Sequence, residues 1–319
     1  MKKLFFKIFI YSVLILLALE VYIRVFHLTK DYPVRYVDAF GVEKWMPNQE
    51  GYSVTGNRRQ NFSEYRINNF GYNSYREFNP SKDKVEIALV GDSFIEGFHQ
   101  NYYNSIGNKI ENQLHGVEVY EYGYAGYDLA DQLHLISQYK EQFELIDYVV
   151  LGIKFENDLA RAEYNIVKER MQLESPLYKA IRQIKLLVYL NNIGVLDAPK
   201  DLVQKLLSNG KKKNAPLTKS EEDKQLKELE TKYLENFKRL VNTYGFDKTR
   251  FLFLLDAEQT PDIFLNHLNE YDYKYIDFSK AFQASKKPPT LIYDMHWNNN
   301  GRTIIAQLIA NYVKEMKSI

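Results

Sequence analysis

Val85-Glu-Ile-Ala-Leu-Val-Gly-Asp-Ser-Phe-Ile-Glu-Gly97 decides how this chain is read. A short apolar run ends in Gly91-Asp92-Ser93, and a segment able to form a helix follows. The pattern predicts a strand that delivers a serine to the carboxyl edge of a sheet, the edge where open α/β sheets bind ligands. A serine placed there is a candidate nucleophile. It needs a base, an orienting acid and hydrogen-bond donors for an oxyanion from elsewhere in the chain.

Downstream, the pattern alternates. Val117 to Tyr122 reads as a second strand. Ile146 to Ile153 reads as a third, apolar enough to be buried on both faces. Asn104 to Leu114 sets Ile106, Ile110 and Leu114 on one helical face. Asp128 stands as the cap of a helix with the stripe Leu129, Leu133, Ile136 and Phe143. Strand and helix in alternation imply right-handed crossovers and a parallel sheet. Phe251 to Leu255 and Tyr275 to Phe278 predict the fourth and fifth strands. Before them, Thr218-Lys-Ser-Glu221 is a capping-box pattern. It opens a helix through Leu226, Leu229, Tyr233, Phe237 and Leu240 that Gly245 ends. Asn298 caps a last helix with Ile305, Leu308, Ile309, Tyr312 and Val313 on its buried side.

Residues 160–216 interrupt this rhythm as a helical insertion. Leu177, Ile181, Ile184 and Val188 have the spacing of one amphipathic helix, with Lys179, Arg182 and Lys185 between them. Such a helix can cover the core, act as a lid, or lie on a membrane surface. Ser208 to Pro216, with Lys211-Lys-Lys213, reads as an exposed loop.

Upstream, residues 29–84 are rich in Tyr, Asn, Gly and Arg. They read as short strands and turns in an extended lead-in that packs on the main domain, residues 85–319. Residues 1–28 begin with Lys2 and Lys3 and continue as an apolar run long enough for a tilted transmembrane helix. Leu17-Ala-Leu-Glu-Val-Tyr22 is a poor cleavage site, so an uncleaved anchor is expected. The leading lysines put the amino terminus in the cytoplasm and the bulk of the chain on the extracytoplasmic, periplasmic side of the cytoplasmic membrane.

Composition sets the outer bounds. A hydrophobic content of 45% over 319 residues can build a core, which excludes wholesale disorder. Of the overall +1 charge, residues 1–28 hold +3, leaving −2 for the remainder, which argues against a nucleic-acid surface. The absence of cysteine excludes disulfides, thiolate zinc sites and a lipoprotein cysteine.

Four pieces then fall at strand ends or just before a helix. They are Gly91-Asp92-Ser93, Tyr122-Gly-Tyr-Ala-Gly126-Tyr-Asp128, Phe155-Glu-Asn157-Asp158 and Asp294-Met-His296-Trp297-Asn298. In that order they resemble the SGNH hydrolases, or GDSL-like esterases, named for a Ser, Gly, Asn and His in four separated blocks. The resemblance runs over residues 85–316, with nothing contributed by 160–250. It implies a three-layer α/β/α sandwich with a parallel, flavodoxin-like sheet. It also implies catalytic roles for Ser93 as nucleophile, His296 as base and Asp294 as the acid that orients the imidazole. The backbone N–H groups of Ser93 and Gly126 and the side-chain amide of Asn157 match the family's oxyanion hole.

Two departures stand out. Phe155 occupies the place of the third block's usual glycine, where it can narrow an acyl pocket or pack beneath it. The last block is Asp-x-His-Trp rather than Asp-x-x-His, a form linked to bacterial surface-glycan modification within the family. His99 is a further pocket candidate. Asp92 and Asp158 are expected to brace their turns. The histidines show no paired spacing of a zinc site, and there is no dinucleotide or phosphate loop, so no metal or cofactor is called for.

The leading expectation is an ester hydrolase that removes O-acyl groups, acetyl above all, from a cell-envelope glycan through an acyl-serine. An O-acyltransferase with a multi-spanning partner and a non-catalytic glycan-binding protein are the alternatives. The pocket around Ser93 is expected to be shaped by Phe155 and the helical segment after residue 160.

Overall fold

The computed structural model describes residues 1–56, 59–197 and 219–317. The first element is α1 (Lys2–Val25). Then β1 (Arg35–Val37) pairs antiparallel with β2 (Glu43–Trp45), and β3 (Glu50–Thr55) pairs with β4 (Asn61–Arg66). The main sheet begins at β5 (Val85–Gly91), which leads through α2 (Ser93–Glu96) and α3 (Ile106–Glu111) to β6 (Val117–Gly123). Next come α4 (Leu129–Gln138), α5 (Lys140–Phe143), β7 (Tyr148–Gly152) and α6 (Phe155–Asp158). The insertion holds α7 (Lys168–Gln172), α8 (Pro176–Gln183) and α9 (Lys185–Asn192). The chain ends with α10 (Lys219–Tyr244), β8 (Phe251–Leu255), α11 (Asp262–Glu270), β9 (Tyr275–Asp277), α12 (Ser279–Gln283) and α13 (Asn299–Lys317).

The five main strands are all parallel, in the order β6-β5-β7-β8-β9. This is the flavodoxin-like order, with β5 at the centre of the strand reversal. Alternation along each strand sorts side chains to two faces. Ala88 and Val90 face a core with Leu133 of α4, Phe237 of α10 and Phe264 of α11. Ile87 and Leu89 face a second core with Ile106 and Ile110 of α3 and Ile305 and Ile309 of α13. The three layers follow from the double-sided apolar strands that the sequence predicts.

The chain divides into two compact units. One comprises Met1–Tyr32, Gly51–Phe62 and Val167–Pro216. The other comprises Pro33–Glu50, Ser63–Ile166 and Leu217–Ile319. The division does not follow the expected boundaries at residues 28 and 84. Part of the lead-in and the insertion group with the amino-terminal helix, and the rest of the lead-in belongs with the sheet. There, Tyr72 and Phe78 pack on Tyr122, with ring centroids 5.3 and 4.6 Å away. Tyr65 and Tyr72 of this stretch are core residues, and Tyr32, Tyr36, Tyr52 and Tyr75 are half-buried.

Three helical expectations change. The stripe Leu177 to Val188 is not one helix, because Ile184 leaves helical geometry between α8 and α9. Nor does it cover a core: only Val188 is buried, and Leu177, Ile181 and Ile184 are exposed. In α10, Leu226 and Leu229 are also exposed, and burial begins at Leu234. Thr218 of the capping-box pattern and the stretch Ser208 to Pro216 lie outside the described residues.

Candidate active site

Register brings Gly91, Gly123 and Gly152 to the carboxyl ends of β5, β6 and β7. Gly123 is required sterically. A Cβ there would sit 2.1 Å from the backbone nitrogen of Glu96, so only glycine lets α2 fold back onto the strand end. Asp92 caps α2, its carboxylate accepting from the Phe94 N–H at 2.9 Å. These two contacts fix Ser93 at the first helical position, half-buried at the sheet edge.

The candidate base, His296, arrives from the opposite end of the sequence. Thr290 and Trp297 bridge, and Leu291 N–H donates to the His296 carbonyl at 2.9 Å, which closes the loop between them. Asn298 pins this loop to α13. Its amide donates to the carbonyls of Pro288 and Thr290 while its oxygen accepts from the N–H groups of Asn300 and Gly301. The loop holds His296 Nε2 2.8 Å from Ser93 Oγ. His296 Nδ1 hydrogen-bonds Asp294 Oδ1. Because a carboxylate only accepts, the imidazole proton sits on Nδ1 and Nε2 is left to accept from the serine. Burial pushes the Asp294 carboxyl up, but the hydrogen bonds and charge of His296 outweigh it and hold it below the usual range.

His99 lies beside the candidate base. Like Ser93 and His296 it is not part of the cavity wall, and its ring stacks on His296 with centroids 3.9 Å apart. Its Nε2–H donates to Asp294 Oδ2 at 3.1 Å. Asp294 therefore bridges two imidazoles, one on each oxygen. Burial, followed by the neighbouring His296 charge, lowers His99 to about 4, so it is a neutral donor at physiological pH. Phe94 stacks on His296 as well, at 4.5 Å. Closeness to Ser93 is the one sequence signal for His99, because the link depends on the left-handed turn at Gly97. Lys154 joins the site without a motif to mark it: its ammonium lies 3.4 Å over the Phe94 ring and 3.3 Å from Asp92.

A cavity of about 590 Å³ is walled by the chain neighbours of Ser93 and His296, while Ser93, Asp294 and His296 are not themselves part of its wall. Asp92, Phe94 and Met295 line it beside the catalytic candidates, and Ile95, Phe278 and Trp297 supply apolar wall. Asn157 and Phe155 line it too. Phe155 is buried against Phe264, at 5.2 Å between ring centres, so it both packs in the core and forms cavity wall. Residues 160–166, which group with the sheet, do not line this cavity. Its second side comes from the loop after β8, with Asp256, Gln259 and Thr260. Asp158 accepts from the Lys154 N–H at 2.7 Å and braces the turn that carries Asn157.

Gly126 sits outside the cavity wall, exposed in a turn with φ +93°. Tyr124 N–H donates to the Gly91 carbonyl at 3.0 Å and ties this turn to the strand end before Ser93. Among the described residues, no hydrogen bond takes up the N–H of Ser93 or Gly126 or the Asn157 amide.

His99, Asp294 and His296 have donor atoms within 4.8 Å of one another, a metal-like group that sequence spacing did not show. Those atoms are engaged: Nε2 of His296 on Ser93, and both Asp294 oxygens on the two rings. The arrangement fits a proton relay, since a cation would have to replace these bonds.

Beneath α2 lies a buried charge cluster. Glu96 of α2, Glu121 of β6 and Arg302 of α13 are at most 4% exposed. Glu96 accepts from Trp45 Nε1 at 2.7 Å and from Ala125 N–H at 3.0 Å, joining the lead-in and the Gly126 turn to the serine helix. Burial raises Glu121 to about 7 despite its bonds to Ser105 and Gly107 and the charge of Arg302. A carboxyl raised on folding binds more protons in the folded chain. Its contribution to stability is present below the unfolded value and is lost as pH rises towards 7. Glu121→Gln is expected to leave stability unchanged near pH 4.5 and to raise it by roughly 1–3 kcal/mol at pH 8, measured by denaturant unfolding. A variant less stable than the parent at pH 8 would show that the Glu121 charge is needed by Arg302.

No family model matches the sequence, and no curated protein matches it. Several solved structures are similar. A member of the lipolytic protein G-D-S-L family from Veillonella parvula shares 13% identity at a TM-score of 0.39, over 71% of this chain and 97% of that one. The lipase/acylhydrolase from Enterococcus faecalis shares 13% at 0.39, over 73% and 96%. A lipase from a goat rumen metagenome shares 15% at 0.36, over 72% and 98%. At such identities and TM-scores a likeness carries no argument about reaction or substrate.

Proposed function

We propose that this chain is a serine ester hydrolase of the SGNH type, held in the cytoplasmic membrane by α1 and acting outside it. The observation that carries this reading is the run of hydrogen bonds Ser93–His296–Asp294 at the carboxyl edge of a parallel sheet, beside a cavity. His296 takes the proton of Ser93 as the hydroxyl attacks the ester carbonyl. Asp294 holds the imidazole in the receptive tautomer and stabilises its charged form. The oxyanion is received by the N–H groups of Ser93 and Gly126 and by the Asn157 amide. His296 returns the proton to the departing alcohol, leaving an acyl-serine that water, deprotonated by the same imidazole, then hydrolyses.

The substrate is an O-acylated glycan of the cell envelope, a reading supported by the Asp294-x-His296-Trp297 form and by α1, 24 residues long with a mean hydropathy of 2.3. Acetyl is the acyl group of the family resemblance. The cavity has room for a longer chain, so the test spans both. The full chain in detergent is offered acetyl, butyryl and octanoyl esters and an acetylated polysaccharide, with acid release followed. Ser93-dependent release is the expected result, and its absence with every substrate would leave the glycan-binding alternative. Transfer to added sugar in excess of hydrolysis would identify a transferase. Alkaline carbonate is expected to leave the protein in the membrane fraction, and recovery of a shorter soluble form cut near residue 20 would replace the anchor by a cleaved signal.

A further inference from the structure

The apolar surface of α1 is exposed on all sides, as befits a helix surrounded by lipid and not by a core. Its last two turns carry the exceptions, and they have partners. Glu20 accepts from the N–H groups of Lys185 and Leu186, at 3.0 and 2.7 Å, which are first-turn donors of α9. Arg24 pairs with Glu20 at 2.6 Å and donates to the carbonyl of Gln183 at the end of α8. A carboxylate and a guanidinium one helical turn apart thus clamp the α8–α9 junction to the carboxyl end of α1.

The rest of the segment sorts by chemistry. Lys185 turns back to Asp31 at 2.7 Å, and Arg182 reaches Glu174 at 3.4 Å with its guanidinium over the Tyr32 ring at 4.8 Å. Leu177, Ile181 and Ile184 point outward, 68%, 42% and 47% exposed. A water-soluble surface turns such a stripe inward. Here it faces outward within a turn of the end of a helix with spanning length.

We propose that α8 and α9 form an interfacial collar. They lie on the bilayer surface at the carboxyl end of α1, with Leu177, Ile181 and Ile184 at the acyl boundary and the polar side chains turned to the protein. The occupant of this face is lipid, because the clamp holds the face where α1 leaves the bilayer. The proposal rests on α1 spanning the membrane. It assigns Glu20 and Arg24, charges at the carboxyl end of a helix that is uncharged from Ile8 to Leu19, the work of fixing the height of the collar.

The chain lacks cysteine, so single-cysteine labelling needs no background removal. The full chain is placed in phosphatidylcholine–phosphatidylglycerol vesicles with a bimane label at Leu177→Cys, Ile181→Cys or Ile184→Cys. Labels at Leu14→Cys in α1 and at Leu229→Cys, exposed on α10, serve as references. Brominated acyl chains are expected to quench the three collar labels and the Leu14 label roughly twofold or more while sparing Leu229. Glu20→Ala with Arg24→Ala should relieve quenching at Ile181 and leave it at Leu14. Collar labels open to water, with Leu14 still quenched, would overturn the collar and leave the anchor standing. An unquenched Leu14 would overturn both. Collar labels shielded from water yet untouched by brominated lipid would put a protein on this face and overturn the lipid assignment.

Discussion

Ser93→Ala is expected to lower hydrolysis of an activated acetyl ester by about 10⁴-fold or more while leaving the fold intact. The hydroxyl is half-buried and its partner is the imidazole, so its loss removes little packing and no strand or helix contact. What it removes is the atom that becomes acylated. His296→Ala should fall in the same range, because a serine without a base at 2.8 Å is as weak a nucleophile as free alcohol. The double variant should be no worse than the poorer single one, since the two residues act as a unit. The measurement is kcat/KM on purified parent and variants, with thermal unfolding beside it. Residual activity within about tenfold of the parent, in a folded Ser93→Ala protein, would remove the serine mechanism.

The site was legible to different depths in different places. A parallel, layered sheet could be anticipated because strands alternate with helices that carry clean stripes, as Leu129, Leu133 and Ile136 do, whereas the flavodoxin-like order came only through the family resemblance. Local chemistry also spoke for Asp128 and Asn298, whose capping roles need only neighbours in sequence, and for Asp92 as the brace of its turn. Reading failed where burial depends on distant partners. The stripe from Leu177 to Val188 has the spacing of a core face, yet spacing cannot say whether protein or lipid covers it. Glu121 follows the strand alternation as an inward residue, but nothing near it in sequence announces Arg302. The loop after β8 forms a cavity wall because β8 lies next to β7 in the sheet, a neighbourhood that no local pattern announces.

His99 shows the same limit and supplies the second large effect. Asp294→Asn should lower kcat by about 10³–10⁴-fold, more than the loss of a charge alone would suggest, because of what His99 does to the new amide. Neutral His99 donates through Nε2 to the Oδ2 side of residue 294. An asparagine there must turn its carbonyl oxygen to that donor and its NH₂ to His296 Nδ1. Nδ1 then has to accept, the imidazole proton moves to Nε2, and the nitrogen facing Ser93 can no longer take its proton. Adding His99→Ala to Asp294→Asn removes the donor that holds the amide in this orientation. The amide can then flip, its oxygen accepts from Nδ1–H, and the receptive tautomer returns. The double variant is therefore expected to be about 10-fold or more faster than Asp294→Asn alone, whereas His99→Ala on the parent should slow the reaction only modestly. A purely structural role for His99 would make the two losses add. Full additivity in kcat, with both variants folded, would reduce His99 to a packing residue and leave Asp294 as the sole orienting group.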